Sequence, residues 1–386
     1  MKKKIVIVAA LVGAAPGAFA AAPLEGISFN GFVTAGATYA DQPVLPGTNA
    51  VSQDGNIENT GGFTNDSRFG LQISANVNPR ISITGQLLAR SKDENSAVKA
   101  DWAFVNYRVS EELRIRGGKV KLPTFLTSDY IEVGYAYPWI RPPQEVYFSN
   151  PISTINGVDL LARFRIGGSS LLIQPYYGAS RGEDALVPQE VLPAFGLPAG
   201  TIARAGFTAD DLAGLNLSFG NEYFTVRGGY LQTQVNAALG AFQIFQDDAN
   251  FASAGATVDW KNVVLYSEYF EREIKGAANA VFANQKGYYG TVGYRFGGWL
   301  PHVTYGKLDD NDNPTVFGSG VPLRQESVTA GLRVELGSGA ALKVEAQKVT
   351  PEAGTRGLLI ADPNGAASPD RNESVMIYGI AVDVVF

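Results

Sequence analysis

The sequence predicts an all-β chain closed into a transmembrane antiparallel β-barrel of about 16 strands, within two either way, and three observations carry that prediction. Apolar and polar residues alternate in segment after segment, most of them 9–12 residues long. The connections between segments alternate between short and long. Beyond residue 20 no run of 18 apolar residues occurs, which excludes helical spans.

The first twenty residues stand outside this pattern. Lys2, Lys3 and Lys4 precede the apolar run 5–12, and Ala18-Phe19-Ala20 offers a small-residue cleavage site. The arrangement reads as a secretory signal peptide over 1–20, too short to span a bilayer, with 21–386 as one barrel domain. An exported chain without cysteine lacks the disulfides on which many secreted domains rely. A closed hydrogen-bonded barrel supplies rigidity by another route. The formal net charge of −6 argues against nucleic acid as a partner.

From Ile27 the chain alternates, with Ile27, Phe29, Gly31, Val33, Ala35, Ala37 and Tyr39 on one face. Period two over a dozen residues is a strand signal. It recurs at 65–76, 80–90, 100–109, 113–120, 157–166, 171–180, 212–219, 223–234, 250–258, 262–272, 286–296, 300–308, 324–336, 341–349 and 373–386. About 9–11 tilted residues is what a strand needs to cross a bilayer. One parity suits lipid, as with Val328, Ala330, Leu332, Val334 and Leu336. The short connections are 77–79, 110–112, 167–170, 220–222, 259–261, 297–299 and 337–340. The long ones are 40–64, 91–99, 121–156, 181–211, 235–249, 273–285, 309–323 and 350–372. A soluble sandwich has no reason to sort loops by length, whereas a barrel with both termini on the short-turn side does.

The third long connection, 121–156, carries prolines at 123, 138, 142, 143 and 151. An irregular loop of that length inside a compact domain is usually functional, and here it is expected to fold into the lumen and narrow it. Its residues Asp129, Tyr130, Glu132, Tyr135, Tyr137 and Arg141 are the expected constriction. Two readings stand for the aromatic residues Tyr130, Tyr135, Tyr137, Trp139 and Tyr147: stacking on flat solutes, or pinning the loop to the wall by packing.

The opposite parity gives the lumen wall. Its basic residues are Arg68, Arg90, Arg108, Arg114, Arg116, Arg163, Arg165, Arg227, Arg295, Arg333 and Lys343, with Lys121 at the root of the loop. Strict parity points Lys119 at lipid, so its inclusion requires a bulge at Gly117-Gly118. Inward acids are fewer: Asp159, Glu268, Glu335, Glu345 and Asp383. Asp129 and Glu132 facing an arginine wall would set up a transverse field, and rings of arginine and lysine favour anions. Alternatively, the arginines pair with neighbouring carboxylates and support the barrel without selecting anything.

In the last segment Tyr378, Ile380, Val382 and Val384 alternate up to a terminal Phe386. Here the sequence resembles Gram-negative outer-membrane β-barrel proteins, and with the loop sorting the chain looks like a porin of the general, trimeric type. The stretch 101–147 is similar to porins of the phosphate-selective and dicarboxylate superfamily. The resemblance implies a location in the cell outer membrane, among its lipid and lipopolysaccharide, with Phe386 and Tyr378 read by the barrel-assembly machinery. It implies a water-filled channel for passive diffusion of small hydrophilic solutes and ions, and the basic lumen wall leans that channel towards anions. It also implies a homotrimer, which small outward residues such as Gly31, Ala35 and Ala37 would suit. The rival from another class is a closed or narrow barrel serving as a surface adhesion or receptor platform.

No enzyme, cofactor or metal is expected. The one histidine, His302, has no nucleophile identifiable by spacing. Asp309, Asn311 and Asn313 begin like a calcium loop, but Pro314 stands where glycine is required and Gly320 where glutamate is.

Overall fold

The computed structural model describes residues 26–41, 45–46, 62–63, 66–91, 98–186, 196, 198, 204–239, 242–280, 284–310, 324–353, 357–360 and 373–386. The expected signal peptide 1–20 lies outside them. The barrel strands are β1 (Ile27–Ala40), β2 (Arg68–Asn76), β3 (Ile81–Arg90), β4 (Val98–Arg108), β5 (Leu113–Lys121), β6 (Thr154–Ile166), β7 (Ser169–Leu186) and β8 (Arg204–Gly220). They continue with β9 (Phe224–Leu239), β10 (Phe242–Trp260), β11 (Val263–Ile274), β12 (Gln285–Tyr294), β13 (Trp299–Asp310), β14 (Gln325–Gly337), β15 (Ala340–Pro351) and β16 (Val375–Val385). Each pairs antiparallel with its sequence neighbours, and β1 pairs with β16 to close an all-β barrel of 16 strands. No helix among the described residues is long and apolar enough to cross a membrane.

Period two decides which side chains meet lipid. On β16 and β12, Tyr378, Ile380, Tyr288, Val292 and Tyr294 are exposed outward while their neighbours are buried inward. Partners across a ladder share a face, so the register carries this parity round the barrel. Closure places Val33 opposite Val384 and Tyr39 opposite Tyr378. Beyond β16, Phe386 exchanges two backbone hydrogen bonds with Gly31, at 2.8 and 3.0 Å. A Cβ at residue 31 would lie 2.3 Å from the Phe386 ring, so glycine there makes room for it.

Three expectations are corrected. The expected long connection 181–211 is shortened by β7, which runs to Leu186, and by β8, which begins at Arg204. The expected connection 235–249 is mostly strand, because β9 and β10 pair from Phe224↔Val258 to Leu239↔Phe242. In this part of the hairpin Val235, Ala237 and Phe245 face inward and are buried, while Gln234, Asn236 and Gln246 take the outer row. The polar outer row hides the strand from a reading that looks for apolar residues facing lipid. The third correction concerns the expected bulge at Gly117-Gly118. The β4–β5 register runs unbroken from Arg108↔Arg114 to Ala103↔Lys119. The irregularity lies one ladder away, between Gln86↔Trp102 and Leu87↔Ala100, and it frees Asp101.

Candidate functional site: the lumen and its folded loop

Residues 122–153, between β5 and β6, lie inside the barrel. The segment is closed at its root by Leu122 N donating to Ser153 O at 3.0 Å. It holds two 3-10 turns, Ser128–Tyr130 and Gly134–Ala136, and a single helical turn, α1 (Gln144–Tyr147). Proline fixes φ and removes a donor, so Pro138, Pro142 and Pro143 keep the chain between these turns from forming a ladder of its own.

One side of the loop packs on the inward faces of β9–β13. Phe125 lies 4.8 Å from the Tyr147 ring and 5.6 Å from Phe251, which stacks on Phe270 at 5.5 Å. Trp139 meets Tyr266 and Tyr289 edge-on at 4.9 and 5.5 Å, and its indole N–H donates to Thr291 and Thr304, both at 3.0 Å. Tyr137, Trp139 and Tyr147 are buried, and fully burying a large apolar side chain contributes about 1.5–3 kcal/mol. The inner wall of these strands is therefore half of a hydrophobic core.

Polar anchors fix the register of that packing. Glu268 accepts from Leu126 N at 2.7 Å and from the hydroxyls of Tyr289 (2.8 Å) and Tyr147. Arg227 donates to Phe125 O, and Ser253 Oγ to Thr124 O at 2.6 Å. Lower in the barrel, Arg333 donates to Tyr135 O at 2.7 Å, and Lys343 Nζ to Gly134 O and Trp139 O at 2.6 Å each. Lys343 also pairs with Asp383 at 2.9 Å. Ile140 N donates to Glu345 Oε1 at 2.9 Å, and that carboxylate lies 3.8 Å from His302 Nε2. Arg141 pairs with Asp66 at 2.6 Å. Sequence reading did not single out Asp66, Glu268 or Thr291 as loop contacts. Inward parity was their only signal, and parity does not reveal what docks against them.

The opposite edge of the loop reaches β2 and β3. Glu132 is bound by Arg90 and lies 3.9 Å from Arg68, which donates to the Tyr137 hydroxyl at 2.8 Å. Burial alone would raise the Glu132 carboxyl, but Arg90, Lys121 and Arg68 together hold it well below the usual carboxylate range. Within 122–153 the one exposed residue is Asp129. Tyr130, beside it, is half-buried, and burial pushes its phenol well up.

The basic residues expected along the wall divide into three groups. Arg116 holds Asp159 through Nε at 2.9 Å and lies 5.2 Å from the Phe104 ring; Lys121 is buried against Asp101 at 2.8 Å; Arg333 pairs with Glu335 at 2.7 Å. Arg108, Arg114, Arg163 and Arg165 are exposed and form no ion pair among the described residues. Lys119 is opposite Ala103, on the row of Val105 and Tyr107, and its ammonium donates to Ala100 O at 2.8 Å.

Exposure shows where the lumen stays open. Leu300 and Ala341 lie one or two residues inside the short-turn end of β13 and β15, yet are buried inward. Arg114 and Arg165 lie at a similar depth on β5 and β6 and are exposed. The loop fills the side of the bore lined by β9–β16 and leaves open the side lined by β4–β6.

No family model matches this sequence, and no curated protein matches it. Solved structures with the same architecture do. The anion-selective porin from Comamonas acidovorans aligns over 93% of this chain and 99% of its own, at 15% identity and a TM-score of 0.56. Salmonella typhi OmpF, solved with daunomycin, aligns over 93% and 97%, at 15% identity and a TM-score of 0.55. The outer-membrane OmpT of Vibrio cholerae aligns over 93% and 97%, at 12% identity and a TM-score of 0.55. At these identities the likeness speaks for the fold: the chain is a 16-stranded barrel structurally resembling bacterial outer-membrane porins.

Proposed function

We propose that the chain is exported by a cleaved signal peptide and forms a water-filled channel in the cell outer membrane. Small hydrophilic solutes and ions cross it by passive diffusion, and anions are favoured. The observation that carries this reading is the exposed, carboxylate-free group Arg108, Arg114, Arg163 and Arg165 on the open side of the bore. Segment 122–153 is the constriction, with Asp129 at its free edge. The short turns face the periplasm. Phe386 and Tyr378 mark the strand read by the barrel-assembly machinery. The outer row at the seam, with Ala35 and Ala37 on β1, fits a homotrimer set among lipid and lipopolysaccharide. The phosphate-selective and dicarboxylate porins are the proposed subfamily.

Reconstitution in a planar bilayer tests the reading. Stable conductance steps and a reversal potential in a KCl gradient on the chloride side are expected. A silent, correctly folded barrel would instead support the surface-platform reading, and a cation-selective pore would remove the anion preference.

A further inference from the structure

Two pairs of arginines face each other directly across neighbouring strands of the inner wall. Arg68 is opposite Arg90, and Arg108 is opposite Arg114. Like charges directly opposite on one face destabilise a ladder, so each pair needs an answering anion. The first pair has one, because Glu132 reaches down from the loop and takes both guanidinium groups. The second has none among the described residues.

The neighbourhood of the second pair adds positive charge. Arg114 is opposite Leu161, so Arg163 lies two residues along the same inward row, diagonal to Arg114. Arg165 follows on that row, opposite Ser170. The two nearest turn acids do not answer them. Glu112 directs its carboxylate into its own turn, where Ser110 Oγ donates to it at 2.8 Å, and neither Glu111 nor Glu112 forms an ion pair. All four arginines are exposed, beside the turns 109–112 and 167–168. Further in, the cations of the constriction are spent on Glu132, Asp159 and Asp101.

We infer that the charge selector of this pore is the four-arginine group Arg108, Arg114, Arg163 and Arg165 at the short-turn mouth, and not the loop constriction, where the wall cations are already held by carboxylates. The ligands are small oxyanions and halides, held transiently between facing guanidinium groups that have no protein carboxylate to satisfy them. This inference rests on the anion-leaning channel proposed above. It also has a directional consequence, because fixed charge at one mouth is screened chiefly by the salt on that side. At about 0.1 M the Debye length is about 10 Å, comparable to the reach of the group.

The test combines variants with a sidedness measurement on the unaltered protein. With Arg114→Gln and Arg163→Gln together, the chloride-over-potassium permeability ratio is expected to fall at least about twofold at low salt. Arg90→Gln with Glu132→Gln, which removes a matched pair, is expected to change it by less than half as much. In the unaltered protein the ratio is expected to be larger when the dilute bath faces the short-turn mouth. Should the double variant fold poorly, Arg165→Gln alone and the sidedness measurement still decide. An anion-selective pore whose ratio is unmoved by the mouth variants, or is the same for both gradient directions, overturns this inference and leaves the channel standing. An unaltered pore without anion preference overturns the anion reading itself.

Discussion

The ammonium of Lys343 is buried and donates to two loop carbonyls, Gly134 O and Trp139 O, while pairing with Asp383. Truncating one partner of a buried pair costs about 3–5 kcal/mol, because the remaining charge stays desolvated. Lys343→Met is therefore expected to free the loop from β15 and β16. Limited proteolysis would detect cleavage within 122–153 in the variant and not in the unaltered protein. Glu145 makes a different prediction. It is buried in α1, its Oε1 accepts from Gln325 Nε2 at 2.7 Å, and burial raises its carboxyl above the usual range. A carboxyl raised in the folded state stabilises most below its unfolded pKa, and that contribution is lost as pH rises through the folded value. Glu145→Gln, neutral throughout, is expected to exceed the unaltered protein in heat stability at alkaline pH, by about 1–3 kcal/mol. The two proteins should converge in acid. Unfolding midpoints in detergent across pH check both arms, and a parallel pH profile for the two would contradict the assignment.

At the scale of elements, the ladders set what a substitution can do. Gly118 has φ +134°, and a Cβ there would lie 2.4 Å from Ala103 O, a backbone atom that cannot swing away. Gly290, outward on β12, has open space at its Cβ position. Gly118→Ala is expected to lower the yield of heat-resistant folded barrel on gels, while Gly290→Ala leaves it near the starting level. Equal loss would mean that the β4–β5 ladder tolerates distortion better than its geometry indicates. All sixteen strands were legible from alternation, since lipid on one side imposes a strict period. What was not legible was the length of β7 and β8, which enter the expected connection 181–211 from both sides, or the length of β9 and β10. Their outer row turns polar at Gln232, Gln234 and Asn236, where lipid no longer selects apolar residues.

Across the whole molecule, the loop divides the bore into a filled half and an open half. A strand buried on both faces reads as a nearly continuous apolar run. Val263-Val264-Leu265-Tyr266 on β11 is such a run, with Val264 and Tyr266 buried under the loop and Leu265 exposed outward. That run was the sequence signal for where the loop docks. It is ambiguous alone, because an inward aromatic also suits a girdle or a narrow lumen. Parity pointed the arginines at the lumen, but it carried no information on which of them are paired with carboxylates. Which cations are matched depends on where Glu132 lands, and that depends on packing around Phe125 and Trp139, on either side of Glu132 in the same segment.

The chain has no cysteine, so single cysteines report position cleanly. The most direct measurement is the rate at which a charged, membrane-impermeant thiol reagent reacts with Arg114→Cys, Thr291→Cys and Val292→Cys in a lipid bilayer. Rapid reaction with a change in conductance is expected at residue 114 on the open wall, and none at residue 291 under the loop or residue 292 in lipid. Similar reactivity at all three would contradict a closed barrel half filled by its own loop.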